Sequence, residues 1–242
     1  MPDIKDTPPI VEEVIPEETA TFPVLHFEQS NHSLRSQDKQ ALETVINALN
    51  TQPELSIILS IYAQALGDKS QALSTAIQKG ELVSAHLQEH GIAPEQITMR
   101  ALTVPALDTA PFLLDFAVAN TAMDTPLPVI GKTYNPAATG SSMNQGLLYQ
   151  LQISSSKKAV ALNWLDQYDN PMIEKRASLP YYRYSIGGTS TFKEARTLKS
   201  KLAKAGKKDA FIVPYLYGSR ANKKIAKKFA NQFPDLKNYL GM

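Results

Sequence analysis

The run LSIILSIY (residues 55–62) puts Leu55, Ile57, Leu59 and Ile61 on one side of an extended chain, whereas a helix would scatter them around its circumference. A strand with one fully apolar face needs a layer to bury it, and the flanking segments supply helices with the matching stripe. VLHF (24–27) reads as a short strand, and Ser36 can cap a helix whose apolar positions are Leu42, Val45, Ile46 and Leu49. After LSIILSIY, a helix is expected from about Leu73 to His90, stopped by Gly91. QITMRAL (96–102) and FLLDFAVA (112–119) follow as strands. The first block, 22–120, is therefore β-α-β-α-β-β.

Residues 121–145, TAMDTPLPVIGKTYNPAATGSSMNQ, have no period and are rich in Pro, Gly, Ser, Thr and Asn, which predicts a flexible linker. A second block, 146–220, opens with the alternating strand LLYQLQIS (147–154). A helix from about Lys157 to Tyr168 is expected next, then strands IEKRA (173–177) and YYRYSIGG (181–188). Thr191 and Glu194 have capping-box spacing and open a helix in which Phe192, Ala195, Leu198 and Leu202 share a face. Gly206 ends it, and DAFIVPYLYG (209–218) is the last strand. That order, βαββαβ, is the ferredoxin-like arrangement. The expected whole is α+β, two small α/β sandwich domains, with a basic amphipathic helix at 221–242 and a disordered Pro/Glu-rich tail at 1–21.

The net charge of +2 conceals an uneven spread: residues 1–18 hold six acids and one base, residues 193–228 twelve bases and two acids. The absence of cysteine excludes disulfides, thiolate metal sites and cysteine nucleophiles. No apolar run is long enough for a transmembrane helix. MPDIKDTPPI lacks the apolar core of a signal peptide, so the expectation is a cytosolic protein or a processed one. The serines have no recognisable histidine partner and no glycine-rich phosphate loop occurs, so no enzyme and no cofactor is expected.

Two resemblances rest on these segments. VLHFEQSNHSL and the run KGELVSAHLQEHGIAPEQITMRAL, with its helix–Gly-Ile–Pro–strand cadence, make residues 22–119 resemble the OmpA-like peptidoglycan-binding domain. YQLQI, YYRYSIGG, FKEARTLKSKLAKAG and KDAFIVPYLYG make residues 147–218 resemble a SPOR (sporulation-related repeat) domain of the Bacteroidetes envelope type. The resemblances imply a non-catalytic periplasmic protein associated with the outer membrane, which binds peptidoglycan or scaffolds an envelope complex on it. The alternative is a protein–protein adaptor whose two domains have lost that ligand.

OmpA-like domains hold the diaminopimelate of the stem peptide between an Asp after the second strand and an Arg on the next helix, charges that suit an ammonium and a carboxylate. The corresponding positions here are Gln64 (or Ala63, depending on the anchor) and Lys79, with Asp68 as a displaced substitute. In the SPOR-like half, Tyr149, Gln152, Tyr182, Arg183 and Tyr184 are the residues expected to stack on and hydrogen-bond sugars. The basic stretch has no nucleic-acid signature of the RRM or KH kind and reads as a solvated helix face, so nucleic acid is not an expected partner.

HLQEHG (86–91) matches H-x-x-E-H, a zinc-protease signature. In the OmpA-like reading, however, His86 faces the core beside Val83 and Leu87, and His90 complements the helix C-terminus before Gly91. The match lacks a third ligand on a following helix, since Glu174 falls on an expected strand beyond the linker. No metal is expected from the sequence.

Overall fold

The computed structural model describes residues 22–65, 67–105, 107, 110–120 and 146–242; the expected tail (1–21) and linker (121–145) lie outside the described residues. In the first half, β2 (Leu55–Gln64) and β3 (Ile97–Val104) are parallel neighbours connected through α2 (Lys69–Glu89). β4 (Phe112–Asn120) runs antiparallel along the other side of β2, β1 (Leu25–Phe27) pairs with β4, and α1 (Ser36–Thr51) connects β1 to β2. The order β-α-β-α-β-β is as expected. α1 departs in one detail: its cap position is Arg35 rather than Ser36, and Asp38 reaches back to the Arg35 amide at 3.0 Å. α2 begins four residues earlier than expected because Asp68 caps it, accepting from the Gln71 amide at 2.8 Å.

The second half contains β5 (Leu147–Ser156), β6 (Met172–Arg176), β7 (Tyr182–Thr189), α3 (Phe192–Lys204), β8 (Phe211–Leu216), β9 (Ser219–Arg220), α4 (Lys223–Phe229) and α5 (Asp235–Leu240). The capping box is present, with Glu194 N–H donating to Thr191 Oγ1 at 3.2 Å and Thr191 N–H to Glu194 Oε2 at 3.2 Å. The helix expected over 157–168 is not formed: only a single 3-10 turn, Asn163–Leu165, interrupts an irregular path. The expected βαββαβ succession is thus met in its strands and its second helix, but its first crossover is non-helical. The basic tail forms two short helices where one was expected.

β3 also pairs antiparallel with β6, from Thr98↔Arg176 to Leu102↔Met172. The two blocks therefore lie in one nine-stranded sheet, ordered β1-β4-β2-β3-β6-β7-β5-β8-β9. The buried apolar residues of all five described helices join one cluster with alternate strand residues such as Ile57, Leu59, Met99, Leu114, Leu151 and Ile186. Gly80 lets α2 settle onto β2, since a Cβ there would come 2.7 Å from Ile61 Cδ1.

The other sheet face is also buried, and beside small apolar clusters it carries polar groups: Ser60, Arg100, Asp115, Gln150, Gln152, Glu174 and Ser185 are all withdrawn from water. Met172 of β6 packs with Val213 and Tyr215 of β8, although β7 and β5 lie between them. Flat spacing would separate those strands by about 14 Å, so the sheet curls toward this face.

Candidate functional site

An open groove lies between the loop at 28–34 and α2, with a volume of about 990 Å³. Its walls carry hydrogen-bonding groups from Ser30, Asn31 and Ser33 on one side and Thr75, Gln78 and Glu89 on the other. Arg35 anchors the base of the loop: its guanidinium spans both Asp38 carboxylate oxygens (2.8 and 2.9 Å) and donates to the His26 carbonyl at 2.9 Å. Asp38 is buried, which alone would raise its pKa. The hydrogen bonds from the Arg35 side chain and amide outweigh this and hold it below the usual carboxylate value.

Lys79 lines this groove, but its ammonium is turned into the protein. It donates to the carbonyls of Gln29 (3.1 Å) and Asn31 and lies 5.8 Å from the centre of the Phe112 ring. Burial pushes its pKa down. Its evident work is to pin the loop that forms the opposite wall. Gln64 ends β2, where its amide donates to the Pro111 carbonyl at 2.9 Å. Asp68 is occupied as the α2 cap, also accepting from Ser70 Oγ at 2.8 Å. Asp68 and Lys79 are eleven residues apart on α2, about 16 Å along the axis. Asp68 and Lys79, expected to serve the stem peptide together, are therefore not brought together.

The sugar-binding set divides between the two faces. Tyr149 and Tyr184 are completely buried and Tyr182 nearly so, all within the helix-side core. Tyr149 packs against Phe192 and Tyr239, with ring centroids 5.8 and 6.3 Å away. Tyr184 Oη accepts from the Val160 amide at 2.9 Å. Tyr182 Oη donates to Glu81 of α2 and accepts from Lys175 Nζ at 3.0 Å, and Lys175 also meets Glu81 at 2.5 Å. Burial raises the pKa of all three tyrosines. Gln152 and Arg183 lie on the opposite, polar face. Arg183 Nη1 is 3.7 Å from Glu174 Oε1, and Glu174 Oε2 is 3.5 Å from Arg100 Nη2. Arg100 donates further to the Gly218 carbonyl, and its guanidinium is 5.7 Å from the Tyr215 ring.

Alternation in β7 is what splits Tyr182 and Tyr184 from Arg183, and it was readable from YYRY. Which face would meet the helices was not readable. The H-x-x-E-H helix holds the remaining constellation: His86, His90 and Glu43 of α1 each offer a donor atom, all within 4.8 Å of one another. The H-x-x-E-H signature takes its third donor from a following helix, whereas Glu43 precedes the histidines, on α1. No protein-family model matches the chain and no curated protein matches it.

Proposed function

We propose that this chain is a non-catalytic periplasmic envelope protein that docks on peptidoglycan through the groove between loop 28–34 and α2. The groove itself carries the reading: it is open, and beside apolar patches such as Leu34 and Leu82 it is walled by amide, hydroxyl and carboxylate groups and by Lys39. A stem peptide offers amides, carboxylates and an ammonium, the complementary set. The β-α-β-α-β-β order of the first half and the strand succession of the second are consistent with the OmpA-like and SPOR resemblances. Co-sedimentation with purified sacculi tests the reading. Binding should disappear after muramidase digestion and fall at least about tenfold when Gln78→Trp obstructs the groove, a loss of about 1.4 kcal/mol.

A second reading, a protein-binding adaptor without wall affinity, is favoured by the burial of Tyr149, Tyr182 and Tyr184, which leaves the second half without those aromatic faces for sugar. Absence of sedimentation with intact sacculi would select it.

A further inference from the structure

We propose that Glu43, His86 and His90 bind a divalent transition-metal ion of the zinc type, which fastens α1 to the C-terminal end of α2. The inference does not rest on wall binding, although His86 and Glu89 also line the groove proposed for it. His86 of α2 and His90 at its C-cap are one turn apart, with ring centroids 4.3 Å apart, and Glu43 arrives from α1 with its donor atom inside the same 4.8 Å triangle. Two imidazoles at this spacing on one helix face are a recurrent zinc-binding pair, and a carboxylate from a second element completes a three-ligand set.

The hydrogen bonding around the rings fits the same role. His90 Nδ1 lies 2.8 Å from the His86 carbonyl, which can only accept, so Nδ1 carries the proton. The lone pair of neutral His90 is then on Nε2, and the ring is oriented by its backbone bond, as metal-ligating imidazoles commonly are. His86 is more than nine-tenths buried, yet its Nε2 has no hydrogen-bond partner and its Nδ1 is 4.0 Å from Glu89 Oε2, beyond hydrogen-bond reach. A buried imidazole with an uncommitted Nε2 is costly unless something coordinates it.

Two nitrogens and one oxygen suit zinc, and also nickel or copper, whereas calcium and magnesium prefer oxygen-only shells. Three protein donors leave a coordination position for water. Nearby Glu89 adds negative charge, and Lys39 of α1 is the opposing positive one. The ion would make the same helix pair firmer; hydrolysis is no part of the proposal.

The test uses the full chain, stripped with chelator and titrated with zinc chloride by calorimetry. The expected result is one zinc per chain with a Kd of about micromolar or tighter. His90→Ala and Glu43→Gln, both exposed positions that leave the core intact, should each weaken binding at least about tenfold. His26→Ala with His32→Ala should leave it unchanged. Zinc should raise the thermal midpoint of the wild type and not that of His90→Ala, and magnesium should do neither. Absence of stoichiometric zinc, affinity indifferent to His90→Ala and Glu43→Gln, or affinity lost with His26 and His32 would each overturn the assignment.

Discussion

Arg100 of β3 and Glu174 of β6 face each other where the two halves of the sheet join, 3.5 Å apart and almost wholly withdrawn from water. Removing one partner strands the other charge in a medium that solvates it poorly. Glu174→Ala should therefore destabilise the protein by about 3–5 kcal/mol in urea unfolding, whereas Arg100→Met with Glu174→Leu should be near neutral. A single replacement costing under about 1 kcal/mol would contradict this account of the junction.

Lys79 should matter for the loop opposite it more than for any ligand charge. Lys79→Met leaves the Gln29 and Asn31 carbonyls without their donor, at a cost of about 1–3 kcal/mol. Amide exchange across residues 28–34 should accelerate in that variant while the strands keep their protection. Unchanged exchange in the loop would assign the ammonium a different role.

Tyr149→Ala should lower stability by about 3–5 kcal/mol, the scale for emptying an aromatic site in a core. Tyr184→Phe loses only the hydroxyl that accepts from Val160 and should cost about 1 kcal/mol. Both effects belong to thermal or urea unfolding. Full stability with reduced glycan affinity would instead make these tyrosines surface residues.

Asp38 makes part of the stability dependent on acid. Its folded pKa lies below the ordinary value of 3.8, so the folded state binds the proton less readily than the unfolded chain. The contribution is complete above the unfolded value and lost as pH falls through the folded one. Asp38→Asn should cost about 1 kcal/mol at neutral pH, the scale of a capping interaction, with the difference from wild type closing in strong acid. Parallel stability curves down to the lowest pH would refute the coupling.

The first half was legible because its signals are local: period two in LSIILSIY, the Gly91 stop, and apolar spacing in α1. The segment 157–168 shows what local reading misses. Its apolar spacing suits a helix, but its polar groups are used by distant partners. The Val160 amide goes to Tyr184, the Asp166 carboxylate accepts from the Ser70 amide at 2.8 Å, and the Tyr168 carbonyl accepts from Lys69 at 3.1 Å. These tertiary bonds override helix propensity. The pairing of β3 with β6 is likewise non-local, and neither strand announces its partner. The candidate site was legible in its residue types and obscure in its geometry. Lys79 was identified without its inward turn, and the two histidines without Glu43.

The sheet ends in stubs: β1 has three residues and β9 two. A long bare margin would offer a row of unpaired amides and carbonyls on which another chain could continue the ladder. These short margins offer few such groups, and Arg220 adds a cation to one of them. Among the described residues, continuation of the ladder on β1 and β9 themselves is thereby disfavoured.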